Sequence, residues 1–213
     1  MKYNITYKVN WKEWNMLLYL AGIHEFYGLT FAEETEQIAD RELYYLLPKM
    51  IQKGMVSIEG ERIEIAGVYA EFMEQLKRCK QFCVLQYGEE LEKLGTIYLG
   101  EQDLWVARNQ CQKETLEIGY GSLEKWIEEL VENKWIPLYE SPCKGKVWEN
   151  AKEPQGQFLF RAEKCAVKNG CVACAIAIGE YKGECYLYRN NGEEWQCCIY
   201  HQSILLQELK QWR

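Results

Sequence analysis

Two stretches of the 213-residue chain echo one another 81 residues apart. Ile97 returns as Ile178, Arg108-Asn109 as Arg189-Asn190, Ile118 as Ile199 and Ser122 as Ser203, with Leu123 matched by Ile204. Each stretch reads as strand, turn, strand and then a helix opened by a serine. A chain that repeats one strand-rich unit is expected to build two similar layers or lobes. That favours scaffold and binding surface over a single catalytic pocket.

Residues 1–78 read differently. Trp11, Trp14, Leu17, Leu18 and Ala21 fall at helical spacing behind Asn10, a candidate N-cap. A second short helix is expected through Phe31–Ala39. Asp40 opens a third, with Leu43, Tyr44, Leu46, Leu47, Met50 and Ile51 as its apolar stripe and Pro48 inside it. Residues 55–58 and 62–65 read as a hairpin around Glu59-Gly60-Glu61. A helix from about Val68 to Arg78 follows. Helices followed by a small hairpin are the layout of a winged-helix module.

The fold expected is therefore α+β. It comprises an N-terminal winged-helix-like helical lobe (1–78) and a first antiparallel strand-hairpin-helix unit (79–132). A connecting segment (133–157) leads to a second, pseudo-repeated unit (158–213). In the second unit, Asn190-Asn191-Gly192 is a strong turn signal. Ser122 and Ser203 are the expected helix caps.

Charge limits the partners. The chain carries 32 Asp+Glu against 25 Lys+Arg, a net of −7. The expected wing holds Glu59, Glu61 and Glu64 against Arg62 alone. Phosphate contacts supply most non-specific affinity for DNA, so nucleic acid is not the expected partner. No apolar run is long enough to span a bilayer. The first residues, Met1-Lys2-Tyr3-Asn4-Ile5-Thr6, lack an apolar signal core, so a cytoplasmic location is expected. The ten cysteines are then expected to be reduced thiols acting as small hydrophobes.

Catalytic motifs are weak. Cys171-Val-Ala-Cys174 has zinc or redox spacing, yet its flanks read as a strand, on which residues three apart point to opposite faces. Cys79 and Cys83 would share a helix face but lack a histidine nearby. The two histidines fit structural places, His24 at a helix end and His201 in a turn. Gly119-Tyr-Gly121 before Ser122 is read as a turn rather than an anion site. Phosphate-binding, dinucleotide-binding and nucleophile-elbow motifs are all absent. The expectation is a protein that is not an enzyme, with no catalytic residue, metal or cofactor.

The repeated units Ile97–Leu123 and Ile178–Ile204, with the helical stretch Trp11–Ala21 before them, resemble in layout the EspG-type cytosolic chaperones of type VII (ESX) secretion. The resemblance implies a protein that holds an aggregation-prone secretion substrate in the cytosol. Trp135, Tyr139 and Trp148 lie between the two units and are the candidate partner-binding residues, since large aromatics serve as contact hot spots. Two other readings stay open. One is an immunity protein whose acidic charge suits a basic toxin. The other is a winged-helix transcriptional regulator.

Overall fold

In the computed structural model, residues 6–23, 40–88, 90, 92–108, 114–136, 147–167 and 170–212 are described. The chain begins with β1 (Thr6–Asn10), α1 (Trp11–Leu20), α2 (Asp40–Gln52), the hairpin β2 (Val56–Glu59) and β3 (Arg62–Ile65), and α3 (Gly67–Arg78). Next come β4 (Gln81–Tyr87), β5 (Glu92–Leu99), β6 (Asp103–Arg108), β7 (Thr115–Gly121) and α4 (Leu123–Glu132). The rest is β8 (Glu149–Ala151), β9 (Gln157–Ala166), β10 (Val172–Tyr181), β11 (Glu184–Asn190), β12 (Trp195–Ile199) and α5 (Gln202–Lys210).

All strands but β2 and β3 join one antiparallel sheet, in the order β1-β7-β6-β5-β4-β9-β10-β11-β12-β8. Along β4 the side chains alternate between its two faces. Cys83 and Leu85 enter one core cluster, with Trp126, Ile127 and Leu130 of α4 and Leu205 and Leu209 of α5. Phe82 and Val84 enter the other, with Trp14 and Leu17 of α1, Met55 before the hairpin, and Phe72 and Met73 of α3. A fully buried side chain such as Phe72 contributes about 2–3 kcal/mol of hydrophobic stabilisation.

This architecture corrects the expected fold class. The chain is dominated by a ten-stranded sheet, and the described residues of 1–78 do not stand apart as a winged-helix-like lobe. The helices and hairpin of 1–78 form a layer on the sheet, because their apolar residues share a cluster with Tyr98, Leu104, Val106, Leu116 and Ile118. β1, which the sequence reading missed, pairs along β7 from Thr6↔Gly119 to Asn10↔Thr115. Its alternation over five residues is too short to stand out beside the strong α1 signal. The helix expected at 31–39 and His24 lie outside the described residues.

The registers also revise the echo. Ile97 lies opposite Trp105 and Ile178 opposite Leu187; Trp105 then faces Gly119, and Leu187 faces Cys198. If Ile97 matches Ile178, then Trp105 matches Leu187 at an offset of 82, and Gly119 matches Cys198 at 79. The identical residues Ile118 and Ile199 are therefore not equivalent: Ile118 is fully buried and Ile199 is 58% exposed. The same shift moves the second cap. Ser122 caps α4, accepting from the Lys125 N–H, whereas α5 is capped by His201, which accepts from the Ser203 N–H. Asn190 Oδ1 accepts from the Gly192 N–H at 2.6 Å in the turn between β11 and β12, with Gly192 at φ +97°.

α4 is seated by aromatic stacking. The Trp105 and Trp126 rings stack at 4.9 Å and 20°. Room for Trp105 comes from Gly95 on the neighbouring strand, where an added Cβ would lie 2.7 Å from the indole. Asp103, fully buried, ties the start of α4 to the sheet: it accepts from the Leu123 N–H at 2.8 Å and the Gly100 N–H at 3.3 Å.

Candidate partner-binding surface

Trp135 is placed by the way α4 ends. Lys134 takes a left-handed conformation, φ 62°. The Lys134 N–H donates to Val131 O at 2.9 Å and the Trp135 N–H to Leu130 O at 2.8 Å, a Schellman termination. This turns the indole back onto the first core cluster, 4.6 Å from the Tyr87 ring of β4. Glycine is the usual residue at the left-handed position, so Lys134 gives no sequence signal for the motif.

Trp148 sits on the same cluster but against another strand. The Arg189 guanidinium of β11 lies 4.1 Å from its ring. Arg189 donates from Nε and Nη2 to Gln196 Oε1 at 3.0 and 2.8 Å, and from Nη1 to Glu208 Oε2 at 3.0 Å. One arginine thus joins β11, β12, α5 and the segment before β8. Both tryptophans are half-buried. Tyr139 lies outside the described residues.

Among the described residues the most exposed large aromatics lie elsewhere. Tyr44 and Tyr45 of α2 are 82% and 76% exposed, and Tyr19 at the end of α1 is 70% exposed. Tyr44, Pro48 and Ile51 follow helical spacing on the outward side, while Met50 is buried and Leu46 and Leu47 are half-buried. The apolar stripe expected to face inward is therefore split, with Tyr44 and Ile51 turned to solvent. α2 is also held through its end: Lys53 Nζ donates to both carboxylate oxygens of the buried Glu13, at 2.6 and 2.8 Å. Glu13 also closes a capping box with Asn10 at the start of α1.

A shallow cleft of about 250 Å³ lies between α3 and the sheet, lined by Glu71, Glu74, Gln75, Arg78, Gln102 and Tyr120. Burial, with Glu71 adding, pushes the Tyr120 hydroxyl up to about 12, so it stays protonated. Burial likewise raises the thiols of Cys79, Cys83, Cys174, Cys185 and Cys197. Protonated thiols are poor nucleophiles and poor metal ligands. Among the described residues no three His, Cys, Asp or Glu side chains gather as a metal site, and no helix is long and apolar enough to cross a membrane.

No family sequence profile and no curated protein sequence matches the chain. Its fold, however, has a counterpart among the chaperones of type VII secretion systems. The solved structure is EspG5 of Mycobacterium tuberculosis, in complex with a PE25–PPE41 dimer. The likeness has a TM-score of 0.60 and covers 97% of this chain and 95% of that one, at 11% identity. At that identity the similarity is one of fold.

Proposed function

We propose that the chain is a non-enzymatic, protein-binding factor of bacterial secretion: a cytoplasmic chaperone or accessory protein for a type VII-like substrate. One observation carries this reading, the likeness to EspG5 over 97% of this chain and 95% of that one. That chaperone was solved with a protein dimer bound, and a secretion substrate is the partner proposed here. The acidic balance, net −7, and the surface aromatics are compatible with a protein partner. Trp135, Tyr139 and Trp148 are the proposed contacts. Half-buried rings such as Trp135 and Trp148 keep one edge in the core and offer the other to a partner.

The test is co-expression with secretion-substrate pairs encoded beside its gene. A pair that precipitates when made alone is expected to stay in solution and co-elute with the chain, and Trp148→Ala is expected to weaken that co-elution. If no such pair associates while a single toxin is bound and silenced, the immunity reading replaces this one.

A further inference from the structure

The chain holds two Asn-Gly pairs, Asn169-Gly170 and Asn191-Gly192. An asparagine carboxamide sits one methylene from its own backbone, so the amide nitrogen of the next residue can close on it to a five-membered ring. A glycine in that next place puts no Cβ in the way. Local sequence gives both pairs the same chemistry. The folded environment separates them.

The nucleophile of each pair is the glycine nitrogen, and the two nitrogens are held differently. Gly170 is half-buried, in the turn from β9 to β10. Its N–H donates to the Ala166 carbonyl at 2.8 Å, and the Ala166 N–H donates to the Cys171 carbonyl at 3.1 Å. The rung Cys165↔Val172 follows directly. Freeing the Gly170 nitrogen therefore means opening the turn that closes this ladder.

Asn191 and Gly192 are both exposed. They lie beyond Asn190↔Trp195, the last rung between β11 and β12. The Gly192 N–H donates to a side chain, Asn190 Oδ1, at 2.6 Å. An exposed local bond of this kind opens at lower free energy than one tied into a sheet.

We propose that Asn191 is a site of spontaneous deamidation, converted ahead of Asn169 to aspartate and isoaspartate. The Gly192 N–H loses its proton to hydroxide, and the nitrogen attacks Asn191 Cγ. A bond forms between Cγ and the Gly192 nitrogen, the carboxamide C–N bond breaks, and ammonia leaves with a proton from water. Water then opens the succinimide. Cleavage of the Cγ–N bond gives aspartate. Cleavage at the main-chain carbonyl gives isoaspartate, with the backbone routed through the side chain. The net exchange is a carboxamide and water for a carboxylate and ammonium, with no change of oxidation state.

Either product adds a negative charge beside Glu193 and Glu194. Isoaspartate also adds a methylene to the backbone of the turn. The rung inside Asn190↔Trp195 is Arg189↔Gln196, whose side chains bond each other and hold the guanidinium at Trp148. The modified turn thus borders the seat of Trp148.

The test incubates the full folded chain, and a second sample unfolded in guanidinium, in mildly alkaline buffer and follows tryptic peptides over time. Residues 169–182 and 190–210 form separate peptides. Deamidation reads as the mass gain of a hydroxyl over an amino group, fragmentation assigns the residue, and an isoaspartyl methyltransferase reports the rearranged product. In the folded chain Asn191 is expected to convert several-fold faster than Asn169, and in guanidinium the two rates should draw together. Asn191→Gln is expected to abolish the gain in 190–210 and leave that in 169–182 unchanged. Asn169 converting as fast as Asn191 in the folded chain would overturn the proposal. So would a gain on Asn190, or none on Asn191 while the unfolded chain converts.

Discussion

Leu85 of β4 lies directly opposite Ala162 of β9, and the registers on either side of this pair run alike. Outward through β4 they pass Cys83↔Ile97, Ile97↔Trp105 and Trp105↔Gly119. Outward through β9 they pass Phe160↔Ile178, Ile178↔Leu187 and Leu187↔Cys198. Three residues past Gly119 comes the cap Ser122, and three past Cys198 the cap His201.

That equivalence gives the first prediction. His201→Ala is expected to cost about 1 kcal/mol, as loss of an N-cap does. Ser203→Ala, inside α5, is expected to cost less than half of that. Urea unfolding of both variants decides it, and equal costs would return the cap to Ser203.

Glu13 is nearly buried, yet it serves both the α1 cap and Lys53. Glu13→Ala removes the cap and both charge-assisted bonds, and about 2–3 kcal/mol of stability should go with them. Lys53 is half-exposed, so solvent screening weakens its share, and Lys53→Ala is expected to cost about 1 kcal/mol or less. Chemical denaturation reads both, and a Glu13→Ala chain as stable as the parent would refute the anchoring role.

Thr96 is fully buried between Val84 and Val106, and among the described residues its hydroxyl has no hydrogen-bond partner. Thr96→Val keeps the shape and removes the stranded hydroxyl. It should raise stability by about 1 kcal/mol. A destabilised variant would show that the hydroxyl is satisfied in solution.

Arg189→Met removes the bonds to Gln196 and Glu208 and the cation over Trp148. Loss of one partner from a largely buried pair should cost about 3 kcal/mol. Adding Glu208→Leu to that variant should recover part of it, because the carboxylate no longer needs a cation. A thermal-melt cycle over the two single variants and the double variant measures this coupling.

The Cys79 thiol is pushed up from 9.0 to about 11 by burial, with Asp103 adding. The folded chain therefore keeps a proton that the unfolded chain gives up near pH 9. The associated stability is in place below that pH and is lost as pH rises toward 11. Between pH 8 and 10.5 the parent is expected to lose stability faster than Cys79→Ala, and parallel curves would refute the assignment.

The legible parts of this chain were those with strong local signals. The α1 cap at Asn10, the stripe of α4 and the turn at Gly192 follow from a few neighbouring residues each. The misplaced parts depended on distant pairing. Helices of 1–78 followed by a hairpin look like a free lobe until β4 to β7 supply the other half of their core. Tyr44 and Leu46 both fall in the apolar stripe in sequence, and only the packing of α2 against α1 and β2 decides which faces out. The fixed 81-residue spacing misled because one strand is shifted by a residue and the next by two the other way, so chance identities aligned better than true equivalents. Ala173 is one inserted residue with an ordinary side chain, and nothing local marks the bulge it makes between Val172 and Cys174. Trp135 and Trp148 likewise owe their places to distant residues, Tyr87 and Arg189.

α4 and α5 touch each other on one side of the sheet, one helix from each flank of the β4–β9 junction. Splaying the two flanks away from these helices would pry them apart and wet the apolar residues between them. The junction therefore resists hinging in that direction. On that side the two flanks are braced as one plate rather than hinged like jaws.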